Sequence, residues 1–288
     1  LVGLHWVLSS MKVSRHPRCN ASGGPATILI RGGNDANLCQ HHSRGFVPMH
    51  PALCVRGLGK VYRSGSRARA VSTPALRDVS LDIGRGEIVS VVGQPGAGKS
   101  TLLLCLSGLL RADHGTISWF GEQITTHHVP PGLAYVPQHA GYYSFLSVRE
   151  ALEYYATLHD LSSASRASQV ETALREVSLH IHATRRVSSL SPGMVQRLGL
   201  AQALIGSPRA IMLDETLCGE GVLFDKDIVA LLTRLSRRGI TIILAAPNPV
   251  EVHRVAARVI KIVEGRVVTP RAEFELPSTP PRLVAEQL

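Results

Sequence analysis

The chain has no long hydrophobic run. Its longest, "STLLLCLSGLL" at residues 100–110, falls well short of the roughly 20 apolar residues that cross a bilayer. A membrane role therefore has to come through a partner. Cysteine is sparse as well. Cys19, Cys39, Cys54, Cys105 and Cys218 are scattered, with no paired spacing. That excludes a disulfide framework and a zinc site built on cysteine pairs, and fits a reducing cytoplasm. The opening "LVGLHWVLSS" is apolar but has no basic stretch before it, as a secretion signal requires.

Residues 1–48 lack any sustained helical or strand period. The character changes at Met49, where "MHPALCVRGLGKVY" reads as a strand leading into a fold. The expectation is that Met49 is the natural start and that 1–48 form a disordered or non-native extension. A folded domain is expected over 49–269. The tail 270–288 carries Pro277, Pro280 and Pro281 and reads as a loose extension.

What remains is a soluble globular composition, 44% hydrophobic and 18% charged over 288 residues, enough for a buried core. The net charge is +10. A basic balance can serve nucleic acid or an anionic membrane. Here it is read as a solvated surface, and no nucleic-acid partner is expected.

The most informative stretch is "GQPGAGKST" at residues 93–101. The preceding "EIVSVV" is rich in β-branched residues and bounded by Gly86 and Gly93, which marks a buried strand. The following "KSTLLLCLSGLL" has the length and apolar character of a core helix. A strand, then GxxxxGKS, then a helix is the context of a phosphate-binding loop. Gly93, Gly96 and Gly98 permit backbone angles closed to other residues, so that N–H groups can converge; Gln94, Pro95 and Ala97 complete the loop. The helix N-terminus adds its positive end. Lys99 places a charge on the outer phosphates, the Ser100 hydroxyl can ligate Mg²⁺, and Thr101 can hydrogen-bond a phosphate oxygen.

A second strand, "RAIMLDE" at 209–215, ends in two carboxylates. Ligands bind at that edge of open α/β sheets. Asp214 would hold Mg²⁺ through water, and Glu215 would polarise the attacking water as general base.

Ahead of that strand stands "SSLSPGMVQRLGLAQALIGSPRAIMLDE", residues 188–215. It resembles the signature region of ABC-type ATPases, which reads LSGGQ or LSGGM, then a helix, then the acidic strand. The resemblance extends over about residues 52–268. In it, Tyr62 of "KVYR" matches the aromatic that stacks on adenine. Gln138 of "AYVPQ" matches the glutamine that reaches Mg²⁺ and senses the membrane partner. Taken singly, each piece has a plainer alternative, Tyr62 as a surface aromatic and Gln138 as a loop amide. The ordered set carries the inference.

The resemblance implies an α/β fold, a P-loop NTPase of ABC ATPase type. Its core sheet would be mostly parallel and flanked by helices. An antiparallel β subdomain is expected at about 52–83 and 115–125, and a helical subdomain at about 141–190. ATP and Mg²⁺ are the implied cofactors. The implied partners are a second ABC ATPase subunit, with Ser191 and Gly193 of the signature facing its nucleotide, and a multi-span membrane permease. The "GM" ending and the helix "EYYATLHDL" look most like the multidrug, polysaccharide and lipid exporters of the family. The alternatives are a nonhydrolysing regulatory ABC subunit and a soluble ABC protein acting on nucleic acid or ribosomes.

Three departures bear on hydrolysis. In "LSPGM", Pro192 replaces a glycine and removes one N–H; Ser191 can still cap the helix, and proline suits its first position. The family reads DEPTSGLD where this chain reads "DETLCGEG", so Gly221 stands in place of the aspartate that bridges the subunits, with Glu220 one residue away. The histidine that touches the γ-phosphate is replaced by Pro247 in "TIILAAPNPVEV", and His253 lies too far along to reach. The expectation is a site that binds MgATP and hydrolyses it slowly.

Overall fold

The computed structural model describes residues 51–64, 71–125, 128–159, 161–216, 226–248, 252 and 255–268. Their architecture follows from two kinds of strand. β3 (Ile88–Val92) and β7 (Ala210–Asp214) are buried at every residue, as is β8 (Thr241–Ala246). Strands buried on both faces need cover on both sides, which parallel sheets with crossover helices provide. They sit with β6 (Leu133–Val136), β9 (Arg258–Val263) and β10 (Arg266–Val268) in one sheet of order β10-β9-β3-β8-β7-β6. All its pairings are parallel except β10 with β9.

A second sheet is antiparallel throughout, in order β2-β1-β4-β5. It contains β1 (Leu53–Ser64), β2 (Val71–Ile83), β4 (His114–Trp119) and the short β5 (Glu122–Gln123). The β2 pattern mixes buried and exposed residues, as one solvated face requires.

Two apolar cores result, one on each face of the parallel sheet. On one face Val89, Val91, Met212, Ile243 and Ala245 meet Leu102, Leu103 and Leu106 of helix α1 (Lys99–Leu106) and the inner face of the antiparallel sheet. Trp119, fully buried there, donates its indole N–H to the Leu106 carbonyl at 2.8 Å. This ties the antiparallel sheet to the end of α1. On the other face Ile211, Leu213, Ile242 and Leu244 pack with the remaining helices. Each such Leu or Ile contributes about 1.5–3 kcal/mol through burial.

Those helices are α2 (Val148–Ala156), α3 (Ser163–Glu176), α4 (Pro192–Leu204) and α5 (Lys226–Arg237). Short 3₁₀ turns lie at His180–His182 and Val187–Ser189. α2 begins with a reciprocal cap: Ser147 accepts from the Glu150 N–H, and the Glu150 carboxylate accepts from the Ser147 N–H. Each bond satisfies a donor that the helix start leaves open. Glu176, at the end of α3, accepts from Arg234 at 2.5 Å and Arg238 at 2.8 Å. That clasp seats the end of α3 on α5. Among the described residues no helix is long and apolar enough to cross a membrane.

Candidate functional site

The loop between β3 and α1 is shaped by its neighbours' backbones. A Cβ on Gly93 would stand 2.4 Å from the Ile262 carbonyl oxygen, and one on Gly98 equally close to that of Ala75. No side chain fits at either position. Gly96 is different: its φ is +81°, and a Cβ there would meet nothing within 4 Å. It faces open space in a conformation that only glycine adopts freely. Gln94, Pro95 and Gly96 are exposed and Ala97 is buried.

α1 opens with Gly98 in the left-handed region and has neither a side-chain cap nor an acidic residue in its first turn. Its first N–H groups are left for an anion. Lys99 is 3% exposed. Its Nζ donates to the Gly93 carbonyl at 2.6 Å and the Gln94 carbonyl at 3.1 Å. It also lies 3.0 Å from Glu215 Oε1. Two carbonyls of the loop and a carboxylate from the end of β7 thus surround the ammonium.

The carboxylates come from the end of β7. Ser100 Oγ donates to Asp214 Oδ1 at 3.0 Å. Tyr135, on β6, donates its hydroxyl to Asp214 Oδ2 at 2.7 Å. Burial raises the Asp214 carboxyl above its ordinary value, more than the bonds from Tyr135 and Ser100 lower it. Burial, reinforced by the charge of Asp214, also pushes the Tyr135 phenol up, so it stays a donor. Glu215 adopts φ +49°, in the sparsely populated left-handed region where strain collects at functional positions. Its N–H donates to the Ala245 carbonyl at 3.1 Å. Gln138 reaches in from the segment after β6, its Nε2 donating to Glu215 Oε2 at 3.3 Å. Tyr62, 43% exposed, has its hydroxyl 3.4 Å from Thr101 Oγ1 in the first turn of α1.

Tyr62, Lys99, Ser100, Thr101, Gln138, Asp214 and Glu215 are thus brought to one edge of the parallel sheet. Two partners were missed in the sequence. Tyr135 stands three residues before Gln138, in the same "AYVPQ" stretch. Thr216 is buried and donates to the Val136 carbonyl at 3.0 Å, which ties the segment after Glu215 to the one leading to Gln138. No local motif announces either.

Ser191 and Gly193 stand elsewhere, at the start of α4. Ser191 is its N-cap and accepts from the Met194 N–H at 3.4 Å, with Pro192 in the first turn. A Cβ on Gly193 would meet nothing within 4 Å. Pro247 is half-buried and directly follows β8, whose Ala245 pairs with Asp214. Gly221, Glu220 and His253 lie outside the described residues.

The polar donors suit Mg²⁺. A hydroxyl, an amide oxygen and one or two carboxylates are hard ligands, too few to enclose an ion alone, and Mg²⁺ is commonly held in that way together with phosphate oxygens. Among the described residues no cluster of three or more His, Cys, Asp or Glu could hold a metal.

The ABC transporter family model matches residues 76–218. An uncharacterized ABC transporter ATP-binding protein of Rhizobium meliloti is 33% identical over 222 residues, covering 75% of this chain and 79% of the relative. The chain belongs to the ABC transporter ATP-binding family. The ABC chain is also similar to a methionine import ATP-binding protein of Rhizobium etli, 34% identical over 70% of this chain and 58% of the relative. It is 34% identical to a sulfate/thiosulfate import ATP-binding protein of Shewanella oneidensis, over 72% of this chain and 61% of the relative. It therefore spans about three-fifths of the length of these two import proteins. Among solved structures, cbiO1 of Clostridium perfringens, part of an ABC transporter complex, superposes with a TM-score of 0.64 at 26% identity over 76% of this chain and 87% of that one. A dimeric post-hydrolysis ATP-binding cassette bound to ADP and Pi shares the fold, with a TM-score of 0.64 at 24% identity over 75% of this chain and 97% of the other.

Proposed function

We propose that this ABC chain binds MgATP, pairs with a second ABC ATPase subunit, and hydrolyses ATP slowly to drive a separate multi-span membrane permease. The observation that supports it best is the direct linkage of Lys99 to Glu215, Ser100 to Asp214 and Gln138 to Glu215 at one sheet edge.

The chemistry follows from the residues. The loop N–H groups and the start of α1 receive the phosphates. Lys99 exchanges Glu215 for phosphate oxygens, one anion for another, which releases the Glu215 carboxylate toward solvent. Glu215 then takes a proton from the attacking water as that oxygen bonds the γ-phosphorus and the bond to the β–γ bridging oxygen breaks, leaving ADP and phosphate. Ser100, Asp214 and Gln138 would hold Mg²⁺, which neutralises charge on the phosphates when bound. Tyr62 stacks on adenine. Ser191 and Gly193 serve the nucleotide of the opposite subunit.

Slow turnover is supported by Pro247, which offers neither an imidazole nor an N–H, and by Gly221 and Pro192. One lost preorganised donor costs on the order of 10²–10³ in rate. We further propose a domain at 49–269 with its helical subdomain at about 141–190, peripheral seating at the cytoplasmic face of the membrane through the permease, and export as the direction. The exporter-like signature and helix support that direction. The test is ATP turnover and MgATP binding by the purified chain. Binding with slow phosphate release supports the proposal; no binding, or turnover at a rate ordinary for this family, overturns it.

A further inference from the structure

Asp214 carries two buried oxygens, and each already has a donor. Ser100 Oγ is 3.0 Å from Oδ1, and the Tyr135 hydroxyl is 2.7 Å from Oδ2. The sheet register creates the second contact. β6 and β7 run parallel with Tyr135 opposite Met212. Side chains alternate along a strand, so Asp214, two residues beyond Met212, projects on the same face as Tyr135 and is its diagonal neighbour. A slip of one residue would send the phenol to the other face. Asp214 is 4% exposed, so water has little access to correct its orientation. The terminal torsion of a carboxylate is broad, and a carboxylate that lost one of its donors would turn within that range.

Resting on the MgATP reading above, we propose that Tyr135 is a positioning residue for the metal site: its hydroxyl fixes the Asp214 carboxylate so that Oδ1 faces Ser100. Tyr135 does not touch the metal or the nucleotide. It acts through Asp214, as outer hydrogen bonds act on metal ligands generally, where their loss costs about 10–100-fold in metal affinity. Phenylalanine keeps the ring's shape and removes the donor.

The experiment uses the full chain and a fluorescent ATP analogue. Its affinity is measured in EDTA and across a Mg²⁺ titration, with the thermal midpoint as a control. In Tyr135→Phe the affinity in EDTA and the midpoint are expected to stay at wild-type values. The Mg²⁺ concentration for half the metal-dependent tightening is expected to rise about tenfold. In an Asp214→Asn background Tyr135→Phe should add less than about twofold, because both act on one contact. A Tyr135→Phe chain with wild-type Mg²⁺ dependence overturns the positioning role, as does one whose EDTA affinity and midpoint fall together. A wild-type chain that binds no analogue, or binds it regardless of Mg²⁺, overturns the MgATP reading itself.

Discussion

Lys99 and Glu215 hold each other across the mouth of the phosphate loop, Nζ to Oε1 at 3.0 Å, with the lysine side chain 3% exposed and the glutamate 20%. The residue proposed to polarise water thus pairs with the residue proposed to hold phosphate. On the reading proposed above, nucleotide binding breaks that pair and the same event frees Glu215. Glu215→Gln removes the competing charge and the base together. The analogue should bind a few-fold tighter, a gain limited by partial solvent screening, while phosphate release falls below detection. Binding and release measured on one preparation check both halves; weaker binding would show that the pair is not competing with the nucleotide.

Pro247 directly follows the strand whose Ala245 pairs with Asp214. Pro247→His returns a ring nitrogen to that point. Turnover is expected to rise by about 10²-fold, the usual worth of one preorganised donor, with MgATP affinity unchanged. An unaltered rate would place the limit at Gly221 or Pro192 instead.

Tyr62 is 43% exposed, and its hydroxyl meets Thr101 in the first turn of α1. Tyr62→Ala should weaken ATP binding about tenfold, and Tyr62→Phe by less than about threefold, because a stacked ring contributes about 0.5–1.5 kcal/mol beyond the area it buries. Equal losses in the two variants would assign the effect to the hydroxyl rather than to stacking.

Glu176 joins the end of α3 to α5 and the residue after it through Arg234 and Arg238. Burial pushes its carboxyl up, but the two arginines pull harder, so its net pKa lies below the ordinary 4.5. A lowered folded-state value means the stabilisation is present above the unfolded value and lost as pH falls through the folded one. Both arginines are about half exposed, and screening reduces the contribution to about 1 kcal/mol. Urea unfolding of Glu176→Gln should show that deficit at pH 7, shrinking as pH falls below the ordinary 4.5 and through the lowered folded value.

How much was legible from the sequence follows from which contacts are local. The phosphate loop could be read because glycine positions, a flanking strand and a helix start lie within a few residues of one another. The N-cap at Ser191 and the proline beside it could be read for the same reason. Tyr135 could not. Its stretch was quoted for Gln138, and nothing in "AYVPQ" says that the tyrosine would meet a carboxylate 79 positions later. Thr216 was passed over because its bond runs to a backbone carbonyl 80 positions back.

By itself, then, the sequence determined the phosphate loop, the acidic end of a buried strand and the family, because backbone freedom, capping and hydrophobic alternation act over short range. Only the tertiary structure decided which of these side chains touch. Ser100 meets Asp214 across 114 positions because β3 and β7 both flank β8 in one parallel sheet. Tyr135 meets the same carboxylate because the β6–β7 register sets them on one face. Register is fixed by burial on both sides of the sheet, a property of the packed chain that no single stretch of it carries.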